Sequence, residues 1–320
     1  MILVESPFSV DAVPLNPAKF RDPQITAKGE LRASVAPTTG LTTLWFNTGT
    51  LCNLACKTCY IESSPTNDAL VYLTKAEVIV YLDEIAALDL PVREIAFTGG
   101  EPFMNREIIA ILSTCLSRGF EVLVLSNAMR PLRRFEAELL ALEHRERLTV
   151  RVSLDHFTQA MHEAERGPNT WDRALDGIDW LAANGFRIAL AGRQLPSENE
   201  ATARAGYAAL IANHSWPVDV SDPAQLVIFP EMDATADVPE ISTACWGILG
   251  VDPASIMCAS SRMVVRRKGE ATPRVAACTL LPYEPQFDMG ATLAESLQPI
   301  ALNHPHCARF CVLGGASCSA

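Results

Sequence analysis

The sequence has no run of about eighteen uncharged apolar residues, so it predicts no membrane-spanning helix. Positive charge is also scarce, because 26 lysines and arginines stand against 37 aspartates and glutamates, a formal net charge of −11. Without a basic stripe, a nucleic-acid-binding surface is not expected. The start, MILVESPFSV, lacks the basic and apolar regions of a signal peptide. We therefore expect a cytoplasmic protein that binds neither membrane nor nucleic acid.

Disulfide bonds are not expected either, although the chain contains ten cysteines. In a chain without an export signal, cysteines in this number favour reduced thiols and metal ligation. The 320 residues, 49% of them hydrophobic, suffice for one large domain and a smaller one. The densest basic run is expected to be a solvent-exposed hairpin, and it contains Arg262, Arg266, Arg267 and Lys268.

Apolar strands alternate with helical patterns after residue 40. Residues 1–40 are rich in proline and lack a sustained period, which predicts an extended arm that packs on the main domain. Strands are predicted at 44–46, 94–97, 120–125, 148–153, 186–191 and 225–229, and helices at 75–88, 104–118, 132–144, 171–184 and 200–213. Thr74 is the expected N-cap of the first helix. Such alternation predicts an α/β fold with a parallel sheet covered by helices.

Chemically distinctive residues follow the carboxyl ends of these strands, where parallel sheets bind their ligands. The first strand leads into Cys52, Cys56 and Cys59. Three thiolates at this spacing can hold three corners of an iron–sulfur cube and leave the fourth iron open to a small molecule. A zinc site is the alternative, usually with four ligands. The next strand ends at Gly99-Gly100-Glu101-Pro102, a second motif at the same edge of the sheet.

The spacing CxxxCxxC, followed by Tyr60 and by Gly99-Gly100-Glu101-Pro102, resembles the signature of the radical S-adenosylmethionine (SAM) superfamily. The resemblance covers about residues 41–232 and implies a partial (β/α)6 barrel. It also implies a [4Fe–4S] cluster on the three cysteines, whose open iron binds SAM. Reductive cleavage of SAM would then give a 5′-deoxyadenosyl radical that abstracts hydrogen from a substrate.

The resemblance assigns SAM contacts to further residues at this edge of the sheet. Gly99 and Gly100 let the backbone approach the methionine amine, while Glu101 and Pro102 fix the turn and Glu101 is a second partner for the ammonium group. An ordinary strand-to-helix turn is the alternative. Polar contacts to SAM are expected from Ser126, Asn127 and Ser153, which could instead cap helices.

Charged residues complete the expected site. Arg193 is the candidate partner of the SAM carboxylate, and Arg166 is a second candidate. A surface salt bridge is the alternative for either arginine and is the expectation for Arg166. Glu231, after the sixth strand, is the candidate catalytic carboxylate that binds substrate or accepts a proton, with a solvated loop charge as the alternative. Cys115 is expected to be a core thiol.

The pattern changes after residue 236, where alternation stops and cysteines cluster. A β-hairpin is predicted from 262–265, a turn at Gly269 and 275–277. This layout resembles the SPASM or twitch extension of radical SAM enzymes, although the terminal cysteine spacing departs from the full SPASM pattern. The resemblance implies one auxiliary [4Fe–4S] cluster, with zinc as the alternative. Its expected ligands are Cys258, Cys278, Cys307 and Cys311, with Cys318 as a substitute or addition. Residues 303–307 are expected to form a turn that positions Cys307, and Cys245 is left out of the ligand set.

The sequence thus predicts an arm at 1–40, a radical SAM core at 41–235 and a small cysteine-rich extension at 236–320 that begins with the hairpin. We expect a radical SAM oxidoreductase or maturase that acts on a small molecule or a peptide and receives electrons from a donor such as flavodoxin or ferredoxin. About forty residues before the barrel are too few for a separate recognition domain, which favours a small molecule or an untagged peptide. A non-catalytic iron–sulfur or zinc protein, which carries electrons or binds a partner, is the alternative.

Overall fold

A computed structural model describes residues 6–9, 12–230 and 233–315. Its strands are β1 (Ser34–Val35), β2 (Thr43–Asn47), β3 (Glu94–Thr98), β4 (Glu121–Ser126), β5 (Leu148–Ser153), β6 (Arg187–Arg193), β7 (Leu226–Phe229), β8 (Ser261–Val265), β9 (Arg274–Ala276) and β10 (Ile300–Ala301). Its α-helices are α1 (Lys75–Ala87), α2 (Ile108–Ser117), α3 (Arg130–Arg133), α4 (Glu136–Leu140), α5 (Gln159–Arg166), α6 (Trp171–Ala183), α7 (Glu200–His214) and α8 (Cys245–Leu249). A π-helix spans Cys307–Leu313.

Eight strands form one sheet in the order β7-β6-β5-β4-β3-β2-β8-β9. The six strands from β2 to β7 pair in parallel with their neighbours. Strands buried on both faces need apolar side chains on both, and every residue of β2 is buried. The rings of Phe46 and Phe97 stack across β2 and β3 with centroids 5.7 Å apart. The predicted α/β fold with a partial six-stranded barrel is confirmed.

The predicted hairpin forms from β8 and β9 and joins the barrel sheet, because β8 pairs in parallel with β2. The expectation of a solvent-exposed basic run is wrong for Arg262, which is buried. Its guanidinium donates to the carbonyls of Cys258 at 2.6 Å and Ser296 at 2.9 Å. These bonds compensate the burial of its charge and tie the strand to the segments on either side of it.

The helices of the barrel follow the prediction with two differences. Thr74 caps α1 through a reciprocal capping box with Glu77. The helix predicted at 132–144 is two short helices, α3 and α4, because the chain turns between them at Arg134 and Phe135. Helix α5 was not predicted. Its buried residues include His162 and Glu165, so its inner face carries polar groups that an apolar period does not detect.

The segment before the barrel packs mainly on the C-terminal part of the chain, and Phe8 contacts the barrel below the Arg193 guanidinium. Strand β1 pairs antiparallel with β10. Arg32 forms a buried ion pair with Glu240 at 2.5 Å, and Phe8 is fully buried. None of the helices within the described ranges is long and apolar enough to cross a membrane.

Candidate SAM and iron–sulfur sites

Cys52, Cys56 and Cys59 lie in the loop after β2 and line one cavity of about 110 Å³, here called the thiol cavity. The backbone N–H of Leu54 donates to Cys52 Sγ at 3.4 Å, and that of Ser63 donates to Cys59 Sγ at 3.3 Å. Hydrogen bonds of this kind stabilise thiolate charge. The loop therefore presents three sulfurs to one space, and two of them already accept backbone donors.

Without metal, two of these thiols resist ionisation. Burial raises the pKa of Cys52 to about 12. Burial likewise raises the pKa of Cys56 to about 11, against the nearby Arg166 guanidinium, which lowers it. Because iron binds the thiolate, metal binding at these positions must release protons.

Most of the predicted SAM contacts line the same cavity. They are Tyr60, Gly99, Gly100, Ser126, Asn127 and Ser153. A Cβ on Gly100 would lie 2.3 Å from the carbonyl oxygen of Leu51, so the turn after β3 packs directly on the thiol loop. Gly99 has φ +135°, a conformation that side chains disfavour. The two glycines thus set the distance between the turn and the loop.

Glu101 and Pro102 do not line the cavity and lie buried behind it. The Glu101 carboxylate accepts hydrogen bonds from Asn127 N–H at 2.8 Å and from the Ser126 hydroxyl at 3.0 Å. Burial raises the pKa of Glu101 to about 7, although these bonds oppose the shift. Glu101 therefore joins the turn after β3 to the end of β4 and holds Ser126 and Asn127 at the cavity wall.

The expectation of a surface salt bridge for Arg166 is wrong. Its side chain is 13% exposed and pairs with Asp155, 8% exposed, through bonds of 2.6 and 3.1 Å. Burial pushes the pKa of Asp155 up, but the Arg166 guanidinium outweighs it and holds the pKa below its ordinary value. Arg166 lines the thiol cavity beside Cys56, whereas the sequence favoured Arg193 and kept Arg166 only as a second candidate.

Arg193 lies in a second cavity of about 130 Å³, the central cavity. Its guanidinium donates to Thr58 Oγ1 at 2.5 Å and pairs with Glu165 at 3.2 Å. It also stacks over the Phe8 ring at 4.3 Å. Sequence reasoning missed Thr58 and Glu165. The position of Thr58 between two of the cysteines was the available signal.

The thiol cavity and the central cavity adjoin, because Cys56, Cys59, Tyr60, Ser153 and Arg166 line both. The remaining wall of the central cavity is largely apolar and draws on distant parts of the chain, with Trp45, Phe229, Leu280 and Phe310. Leu280 and Phe310 come from the cysteine-rich segment. The C-terminal part of the chain therefore contributes to the wall of the central cavity. Glu231 and Cys318 lie outside the described residues.

Four C-terminal cysteines, Cys258, Cys278, Cys307 and Cys311, line a separate small cavity of about 20 Å³, the C-terminal cavity. Burial raises the pKa of the Cys307 thiol well above its ordinary value, and the nearby Cys278 and Cys258 raise it further. The Leu280 N–H donates to Cys278 Sγ at 3.3 Å. Cys245 is not in this set and lies near Ser242, and Cys115 is buried in α2. Among the nine cysteines that the structure describes, none forms a disulfide.

The donor sets fit iron–sulfur clusters. Thiolates are the ligands of such clusters, and both cavities are lined by thiols. A cube distributes its ligands over four irons, so it requires sulfurs spaced around a cavity rather than gathered on one ion. Within residues 6–9, 12–230 and 233–315, no three His, Cys, Asp or Glu side chains are grouped to hold a single metal ion.

Comparisons with known proteins agree with this geometry. The chain is 31% identical over 156 residues to a GTP 3′,8-cyclase of Caulobacter vibrioides, a match that covers 46% of this chain and 42% of the cyclase. It is 32% identical over 141 residues to the antilisterial bacteriocin subtilosin biosynthesis protein AlbA of Bacillus subtilis, covering 44% of this chain and 30% of AlbA. The matches thus span less than half the length of these curated relatives.

Among solved structures, Streptococcus suis SuiB bound to precursor peptide SuiA superimposes with a TM-score of 0.57 at 11% identity, covering 79% of this chain and 62% of SuiB. That likeness concerns the fold. The sequence of residues 46–203 matches the radical SAM superfamily, and the three thiols of the CxxxCxxC loop lie inside this match. Residues 46–203 therefore form a radical SAM domain.

Proposed function

We propose that this protein cleaves SAM reductively at a [4Fe–4S] cluster held by Cys52, Cys56 and Cys59. The resulting radical would abstract hydrogen from a substrate, which is then oxidised or forms a new bond. Radical SAM proteins are enzymes that use such a cluster and SAM. The observation that carries the proposal is the shared wall of the two cavities: the thiol cavity, with its glycine turn, opens onto an apolar space suited to a substrate.

The chain's own residues would bind and orient the reactants. When bound, the cluster and SAM supply the hydrogen-abstracting 5′-deoxyadenosyl radical. Gly99 and Gly100 bring backbone to the cavity wall, where the methionine amine would be held. Ser126, Asn127, Ser153 and Tyr60 supply polar and aromatic contacts. Glu101 and Pro102 fix the turn behind them.

Two arginines are candidates for the SAM carboxylate. Arg166 lines the thiol cavity itself, and Asp155 holds its guanidinium in a bidentate pair. Arg193 lines only the central cavity and pairs with Glu165. We assign the carboxylate contact to Arg166 and give Arg193 a supporting role, in which it holds Glu165 and Thr58 at the thiol loop.

For the substrate we favour a peptide over a small molecule. AlbA and SuiB, whose names refer to bacteriocin biosynthesis and to a precursor peptide, are among the similar proteins. The apolar wall of Trp45, Phe229 and Phe310 would accept an apolar side chain of a peptide. Glu231 remains our candidate proton acceptor, since Phe229, two residues before it, lines the central cavity.

An auxiliary [4Fe–4S] cluster on Cys258, Cys278, Cys307 and Cys311, with Cys318 as a substitute or addition, completes the proposal. Leu280 lines both the C-terminal cavity and the central cavity, so a centre there would adjoin the substrate. It would relay electrons as part of a SPASM-like or twitch-like extension. Flavodoxin or ferredoxin would reduce the SAM cluster, and the reduced thiols suit the cytoplasm.

The test is anaerobic reconstitution, followed by iron and sulfide analysis and reduction with dithionite in the presence of SAM. We expect about eight irons per chain and formation of 5′-deoxyadenosine. The Cys52/Cys56/Cys59→Ala variant should keep about four irons and form none. If the fully loaded protein forms no 5′-deoxyadenosine, the enzyme proposal fails, and a non-catalytic iron–sulfur protein becomes the better description.

A further inference from the structure

His306 lines the C-terminal cavity together with the four cysteines. The residue is 7% exposed. Its Nδ1 is buried and has no hydrogen-bond partner among the described residues. A ring nitrogen in this situation has lost water without gaining a replacement, which is unfavourable unless another group binds it.

The walls of the cavity offer the imidazole no other polar side chain. Apart from His306 and the cysteines, the cavity is lined by apolar residues, among them Ile256, Met257, Leu281 and Phe287. Arg309 and Asp233 act on the His306 charge from outside this lining. Inside the cavity, the thiols, or a group bound to them, are the chemistry that the imidazole meets.

The turn before Cys307 fixes the position of the imidazole. The backbone N–H of His306 donates to His304 Nδ1 at 3.1 Å, and the N–H of Cys307 donates to the His304 carbonyl at 3.0 Å. The imidazole rings of His304 and His306 pack in a T-shaped arrangement with their centroids 4.8 Å apart. His304 Nδ1 thus has the backbone N–H of His306 as its partner. Two hydrogen bonds to His304 position His306 and Cys307.

We propose that His306 donates its Nδ1–H to a sulfur of the auxiliary iron–sulfur centre and thereby sets the reduction potential of that centre. This inference rests on the auxiliary cluster of the proposed function. Four cysteines already supply one thiolate to each iron of a cube, so the imidazole acts as a hydrogen-bond donor and not as a ligand. A donor to sulfur stabilises the more negative, reduced state and raises the potential.

The experiment uses the full chain with Cys52, Cys56 and Cys59 replaced by alanine, so that the auxiliary centre alone is observed. We expect His306→Leu to keep the iron content and to shift the midpoint potential to a more negative value. His306→Asn, whose amide N–H lies near the position of Nδ1, should restore most of the shift. His162 is the matched control, because it is also buried with unpartnered ring nitrogens among the described residues but lies in α5. His162→Leu should leave the potential unchanged.

A second measurement keeps the test decisive if His306→Leu does not fold. In the same alanine background, with His306 in place and ¹⁵N-labelled histidine, the reduced centre should show a weak nitrogen hyperfine coupling. An unshifted potential in His306→Leu, or the absence of the coupling, would overturn the proposal. A strong coupling would make His306 an iron ligand and overturn it as well. Zinc or no metal in this background would also refute it, while SAM cleavage by the native chain tests the enzyme proposal separately.

Discussion

The Glu101 carboxylate accepts a hydrogen bond from the backbone N–H of Asn127 at 2.8 Å. The bond joins the turn after β3, which carries Gly99 and Gly100, to the end of β4. The turn after β3 and the end of β4 both contribute to the wall of the thiol cavity. A buried carboxyl group thus determines how two neighbouring strands present their ends to the thiol cavity.

The ionisation of Glu101 should make stability depend on pH. Burial raises the pKa of Glu101 from its ordinary 4.5 to about 7, so the folded state holds the proton more tightly than the unfolded state. The stability from this group is present below pH 4.5 and is lost as pH rises through about 7. Glu101→Gln cannot ionise and should escape that loss. Urea unfolding of the metal-free protein gives the free energy of unfolding of both chains. Between pH 4.5 and 7 this free energy should rise in the variant relative to the native chain. A difference between the two chains that stays constant over this range would contradict the pKa shift.

Gly100→Ala should displace the thiol loop. The added Cβ would lie 2.3 Å from the Leu51 carbonyl oxygen, on a backbone that cannot yield as a side chain would. We expect the SAM cluster to be lost or diminished, leaving about four of eight irons, measured by iron analysis and EPR.

Gly247→Ala is the control for that variant. Gly247 lies in α8, and an added Cβ would meet no atom within 4 Å. Alanine there should leave the iron content unchanged and stabilise the helix by up to about 1 kcal/mol. Full iron content in Gly100→Ala would show that the close contact with the loop is not needed.

Asp155→Asn should destabilise the protein strongly. It leaves the Arg166 guanidinium buried without its counter-charge, which typically costs about 3–5 kcal/mol. The comparison is Glu121→Gln, which breaks an ion pair with Arg187 whose side chains are 49% and 55% exposed. That loss should be about 1 kcal/mol or less. Equal free energies of unfolding for the two variants would mean that the Asp155–Arg166 pair is not buried as described.

Arg166→Met should weaken SAM binding by about tenfold or more, since a hydrogen bond to a charged group contributes about 1.5–3 kcal/mol. Arg193→Met should have a smaller effect, because Arg193 does not line the thiol cavity. Equilibrium dialysis of SAM with reconstituted protein distinguishes the two. A larger loss of SAM affinity in Arg193→Met than in Arg166→Met would mean that Arg193 contacts the SAM carboxylate.

The sequence predicted correctly those features that are encoded by residues close together in the chain. The strands from β2 to β7 have continuous apolar runs, and the cysteine spacing and the glycine turn are contiguous motifs. Their common cavity follows from parallel strands, whose carboxyl ends meet at one edge of the sheet.

The remainder depends on long-range partners that a local pattern does not contain. Arg166 appeared to be a surface charge, because its pairing with Asp155 depends on helix α5, which was not predicted. Asp155 precedes this helix and Arg166 is its last residue. Arg262 appeared to be exposed, because the carbonyls that bind it come from residues 258 and 296. The pairing of β8 with β2 likewise joins residues more than two hundred positions apart.

The most direct test of the central claim concerns the iron without a protein ligand. The reduced cluster should be examined by ENDOR spectroscopy with SAM carrying ¹⁵N in its amino group and ¹⁷O in its carboxylate, in protein with Cys258→Ala and Cys278→Ala to remove the auxiliary signal. We predict hyperfine coupling from both labels, which places SAM on the iron that Cys52, Cys56 and Cys59 leave open. A reduced cluster that shows neither coupling at saturating SAM would contradict that claim.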